Sequence, residues 1–113
     1  MRKWSKSCPE NFLGIQFLVE AELAVVLEDH SEAHCKFYLA ILQSRDAGIL
    51  MQEALANERA GKFCVSVGNM GKARQFLKEA CRLYKVWGGE AKLLHLEAEM
   101  EKIFSRIPSG SGL

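Results

Sequence analysis

The chain has 113 residues, 49% of them apolar and 26% charged, which suits one globular domain with a modest core. Its 15 Lys and Arg against 14 Asp and Glu leave a net charge of +1, short of the surplus that a phosphate-backbone binder carries, so nucleic acid is not an expected partner. Cys8, Cys35, Cys64 and Cys81 form no CxxC pair and no dense framework, the usage of reduced thiols in a cytoplasmic protein, and no apolar run is long enough for a membrane span.

Arg2, Lys3 and Lys6 precede an apolar stretch that Glu10, Glu20 and Glu22 interrupt, so the N-terminus makes a poor signal peptide. Pro9 and Pro108 are the only prolines, and they bracket a region that is free to be helical throughout. Glycines at 48, 68, 88 and 89 fall where apolar periodicity stops, as helix C-caps do. After an extension of residues 1–7, the first predicted helix opens at Cys8 and Pro9 and runs to about Glu28. Its apolar face is expected to be Phe12, Ile15, Leu18, Val19, Leu23 and Val26. Asp29, His30 and Ser31 read as a tight connection with Ser31 as N-cap, and a second helix carries Ala33, Phe37, Ala40 and Ile41 toward Gly48.

The third helix, about Ile49 to Val67, places Ala56, Ala60, Phe63, Cys64 and Val67 on one stripe of mostly small residues. The fourth follows Gly68 and Asn69 and is the most clearly amphipathic: Ala73, Phe76, Leu77, Ala80, Leu83, Tyr84 and Trp87 recur at helical spacing. Lys72, Arg74, Lys78, Glu79, Arg82 and Lys85 lie between them. A fifth helix runs from Glu90 to about Arg106, which ends a helical domain of residues 8–107, and residues 108–113 read as a flexible tail. The fold class is therefore all-α, two helical hairpins with a fifth, capping helix.

One constant offset pairs Ala33 with Ala73, Phe37 with Leu77 and Ala40 with Ala80, a small, large, small pattern that lets a neighbouring helix approach on both sides of one anchor. Ala60, Gly61, Gly68, Ala73, Leu77 and Ala80 fall at tetratricopeptide (TPR) spacing, so the second hairpin resembles a TPR and the whole a TPR-like superhelix. In the first hairpin Ala21 stands for the usual glycine and Glu20 for the usual leucine, and the period exceeds the usual one. The strings CPENF (8–12), FLVEAELA (17–24), EALANERAGKF (53–63) and ACRLYKVWGGEAKLLHLE (80–97) are similar to the TPR-like helical region that follows the AAA-type ATPase module in large multidomain signalling proteins, among them hybrid histidine kinases and Ser/Thr kinases. The sequence contains no GxxxxGK[ST] loop and no kinase signature, so the resemblance implies a non-catalytic interaction segment and no catalytic, cofactor or metal site. Carried over residue by residue, the TPR comparison puts Leu18, Glu22 and Val25 of the first hairpin and Glu58, Lys62 and Val65 of the second on the face that receives a protein or peptide. The arrangement departs from the Lys and Asn pattern by which some TPRs clamp a C-terminal carboxylate, and Glu58 would repel such a ligand.

Other constellations have plainer readings. His30, His34 and Cys35 are close in sequence but bring no fourth ligand, and His95 stands alone. Cys64 and Cys81 sit on or beside apolar stripes, where thiols pack and do not react. Glu20 with Glu22, and Glu97 with Glu99 and Glu101, are helix surface charge. The cations of the fourth helix form a solvated face. Leu93, Leu96, Met100, Ile103 and Ile107 make a short heptad-like seam, which caps the stack by default and otherwise offers a homodimer contact. Ser111, Gly112 and Leu113 match the ending that strand-adding grooves capture, although so short a match is common.

Overall fold

The computed structural model describes the backbone of residues 2–105 and the side chains of residues 13–105. Ile107, the tail from Pro108 and the side chains of Cys8 and Phe12 lie outside the described residues. Five helices follow in order: α1 (Arg2–Val26), α2 (His30–Ala47), α3 (Leu50–Ser66), α4 (Met70–Trp87) and α5 (Glu90–Ser105). α1 packs on α2 and α3 on α4, the two hairpins meet through α2 and α3, and α5 packs on α4. No strand occurs among the described residues, and no helix there is long and apolar enough to cross a membrane.

The connections repeat at the offset that relates Ala33 to Ala73. Asp29 caps α2 by accepting from the Glu32 amide at 3.2 Å, and Asn69 caps α4 by accepting from the Lys72 amide at 3.3 Å. Gly48 and Gly88 end α2 and α4 in the left-handed region, at φ 73° and 95°, and each closes its helix by amide donation to the residue three back. Between α1 and α2 the Asp29 amide donates to the Ala24 carbonyl at 2.9 Å, and between α3 and α4 Asn69 donates to Cys64 at 2.8 Å. Short polar N-caps and left-handed C-caps thus satisfy the same terminal backbone groups twice.

Two apolar clusters share α3. The first joins Leu18, Ala21 and Ala24 of α1 with Phe37 and Ile41 of α2 and with Ala56, Ala60 and Phe63 of α3. The second joins Ala54 of α3 with Leu77, Ala80, Leu83 and Tyr84 of α4 and Leu96 of α5. Each Leu or Phe buried this way contributes about 2 kcal/mol. Close approach of α3 and α4 depends on Gly61, where a Cβ would lie 2.6 Å from Leu77 Cγ. At Gly14 of α1 a Cβ would lie 2.8 Å from Ser44 Oγ of α2.

Several local expectations change. α1 begins at Arg2, upstream of Pro9, so residues 2–7 belong to the helix; proline's fixed φ is helical, and its cost is one backbone hydrogen bond. Asp29, and not Ser31, is the N-cap of α2, so His30 is the first residue of the helix. The buried side of α1 is Leu18, Ala21 and Ala24, whereas Val19, Leu23 and Val26 are exposed. α1 is apolar nearly all round, so periodicity does not select a face; the small residues turn to α2 because they let the helices approach. Val67 and Trp87, at the ends of their helices, are also exposed.

Candidate functional site

Of the six face residues expected from the sequence, the structure brings Glu22, Val25 and Lys62 together around one cavity of about 200 Å³, lined as well by Arg59, Phe37, Phe63 and Ser66. Val25 and Phe63 supply an apolar floor, and the charged side chains of α1 and α3 stand around it. Leu18 is instead a core residue, Glu58 is buried at 4% exposure, and Val65 is half-buried outside this lining.

The rim charges are paired in a regular way. Arg59 Nε of α3 donates to Glu22 of α1, and Lys62 Nζ of α3 donates to Glu99 of α5 at 2.9 Å. Both pairs span the same sequence separation, and the repeat offset that relates Ala33 to Ala73 also relates Glu22 to Lys62 and Arg59 to Glu99. The same contact therefore occurs twice with its signs exchanged, and it ties α1 to α3 and α3 to α5. Exposed pairs of this kind contribute well under 1 kcal/mol each, about 0.5, so their effect is chiefly to fix register and present alternating charge.

Glu58 lies beneath this row and does not face it. Its carboxylate accepts from Tyr84 Oη at 2.8 Å and from Lys62 Nζ at 3.0 Å, with Lys92 Nζ at 3.5 Å. Burial pushes this carboxyl up, but the hydrogen bonds from Lys62 and Tyr84 and the charges of Lys62 and Lys92 outweigh it and hold Glu58 below its ordinary value of 4.5. Burial, reinforced by the hydrogen bond to Glu58, pushes the Tyr84 phenol upward, so the hydroxyl keeps its proton as donor. Glu58 is a structural joint between α3, α4 and α5.

The remaining constellations have packing roles. His30 and His34 meet the Phe63 ring in T-shaped contacts, with centroids at 5.7 and 4.9 Å. Burial raises the thiols of Cys64 and Cys81, and Cys81 Sγ lies 3.5 Å from Met100 Sδ. Among the described residues no three His, Cys, Asp or Glu side chains gather where an ion would fit. Arg74 of the basic α4 face lies 4.3 Å from the Phe104 ring centroid, and Arg82 pairs with Glu79 on its own helix. The α5 seam turns inward: Leu96 is buried, and Leu93 and Met100 pack against the second cluster.

Sequence reasoning missed Arg59 and Ser66 as lining residues and assigned Glu58 to the open face. The spacing that pairs Glu22 with Arg59 and Lys62 with Glu99 was present in the sequence, as opposite charges in a constant register. The inward turn of Glu58 depends on Tyr84, which comes from another helix. No family model, characterised protein or solved structure matches the chain.

Proposed function

We propose that the chain is a TPR-like, non-catalytic scaffold that binds a protein or peptide segment on the α1 and α3 face around Glu22, Val25 and Lys62. The observation that carries this reading is a cavity with an apolar floor, Val25 and Phe63, and a rim of both signs, Glu22, Arg59 and Lys62, spanning two hairpins whose turns and caps recur at one constant offset. A repeated hairpin that presents equivalent helices side by side is how solenoids build extended binding surfaces. Apolar floor with paired charges suits an extended segment carrying one apolar anchor and flanking polar groups. The resemblance of 80–97 and the other strings to the segment after an AAA-type ATPase module supports a place in a larger cytoplasmic signalling assembly. The free thiols of Cys35, Cys64 and Cys81 suit a reducing compartment.

Selection of a random peptide display library on the immobilised full chain tests the reading. The expected result is enrichment of related peptides whose binding is weakened at least about tenfold by Ser66→Glu, a change on the cavity wall outside the core. Enrichment of nothing, or of peptides indifferent to Ser66→Glu, would contradict it.

A further inference from the structure

Among the described residues, a row of exposed apolar side chains runs along α1 outside the cavity just described. Val19, Leu23, Val26 and Leu27 are 61%, 56%, 75% and 68% exposed, in helical register along α1 and into the turn that follows it. Leu23 and Leu27, with Glu20 and Ala24, form one wall of a groove of about 380 Å³ whose other wall is Asp29, Glu32 and Lys36. We propose that this groove docks a basic amphipathic helix of a partner protein.

The second hairpin displays how the equivalent first-helix surface is covered. At the equivalent positions there, Leu23, Leu27, Asp29 and Glu32 become Phe63, Val67, Asn69 and Lys72, between α3 and α4. There α2 covers α3, setting His34 and Phe37 against Phe63 with ring centroids at 4.9 and 5.6 Å, and faces Asn69 and Lys72 at the start of α4 across a cavity of about 480 Å³. Phe63 is accordingly 4% exposed, whereas its counterpart Leu23 is 56% exposed. Because the turns and caps of the two hairpins coincide in detail, α1 offers around Leu23 the geometry that α3 offers to α2 around Phe63.

Charge selects the occupant. At the rim the first hairpin carries Glu20, Asp29 and Glu32 where the second carries Ala60, Asn69 and Lys72. Every one of these positions gains a carboxylate or replaces a cation with one. Lys36 is the cation of the groove, and it already pairs with Glu20 at 3.1 Å and Glu32 at 3.7 Å, leaving an excess of negative charge around the exposed leucines. A helix with apolar residues toward Leu23 and Leu27 and lysines or arginines along its flanks matches both features. No residue that lines this groove lines the cavity of the peptide-binding reading, so the two can be tested separately.

Fluorescence anisotropy with the full chain and two labelled synthetic helices tests it: one built of leucines and lysines in amphipathic register, the other with the same leucines and glutamates. The leucine and lysine helix is expected to bind, more weakly as salt is raised, and the glutamate helix not to bind. Leu23→Asp is expected to weaken binding at least about tenfold, and Glu32→Lys several-fold, while Lys78→Glu on α4 leaves it unchanged. Leu23 and Glu32 are exposed, so both variants should keep the parent's melting temperature; if Leu23→Asp unfolds, Glu32→Lys alone decides. Equal binding of the two helices, or undiminished binding by Leu23→Asp and Glu32→Lys, overturns the proposal. So does self-association of the parent, measured by light scattering and abolished by Leu23→Asp, since a second copy would then be the occupant.

Discussion

At Glu28 the backbone takes φ 61°, in the left-handed region, at the turn position that Gly68 fills with φ 85° in the second hairpin. A side chain there is strained, and the Glu28 amide still closes the turn by donating to Val25. Glu28→Gly is expected to raise stability by about 1 kcal/mol, seen as a higher urea midpoint with an unchanged slope. Glu58 is a residue of the opposite kind, fixed by partners on three helices. Its folded pKa lies below 4.5, so the stability it contributes is fully present above that pH and is lost as pH falls toward the depressed value. Denaturant melts of the parent should therefore weaken below pH 4.5 more than those of Glu58→Gln, which keeps an acceptor for Tyr84 but loses the carboxylate. At neutral pH the same variant is expected to be about 2 kcal/mol less stable.

Among the elements, α3 does the most joining: Ala56, Ala60 and Phe63 face the first cluster, and Ala54 and Gly61 face the second hairpin. Gly61→Ala would set a methyl 2.6 Å from Leu77 Cγ, and is expected to cost about 2 kcal/mol in thermal or urea unfolding. The helices themselves were legible because the signals that define them are local: Gly48 and Gly88 as C-caps, Asn69 before α4, and the Ala73, Leu77, Ala80 stripe. On α1 the expected face holds at Leu18 and fails at Val19, Leu23 and Val26, because the apolar residues surround the axis. Which of them turn inward is decided by how closely α2 approaches Ala21 and Ala24, a tertiary quantity. The bulkier Val19, Leu23 and Val26 are consequently left outside.

At the scale of the whole molecule, one repeat interval relates nearly everything that matters. Helices, caps and the charge pairs on the α1, α3 and α5 face recur at that interval, with the signs of the pairs reversed. α5 starts one interval after α3, at Glu90 against Leu50, and meets α4 through Leu96. Where α3 has Gly61 at the close approach of α4, α5 has Glu101 one interval on. Of the candidate face, Glu22, Val25 and Lys62 were legible from repeat spacing, whereas Arg59 and the burial of Glu58 follow from packing between helices. The central claim is that this face receives the partner. It is tested most directly by amide chemical-shift mapping of the full chain titrated with a peptide recovered from the display selection. The account predicts shifts concentrated at Glu22, Val25, Arg59, Lys62 and Ser66; shifts confined to the outer side of α4 or to α5 would contradict it.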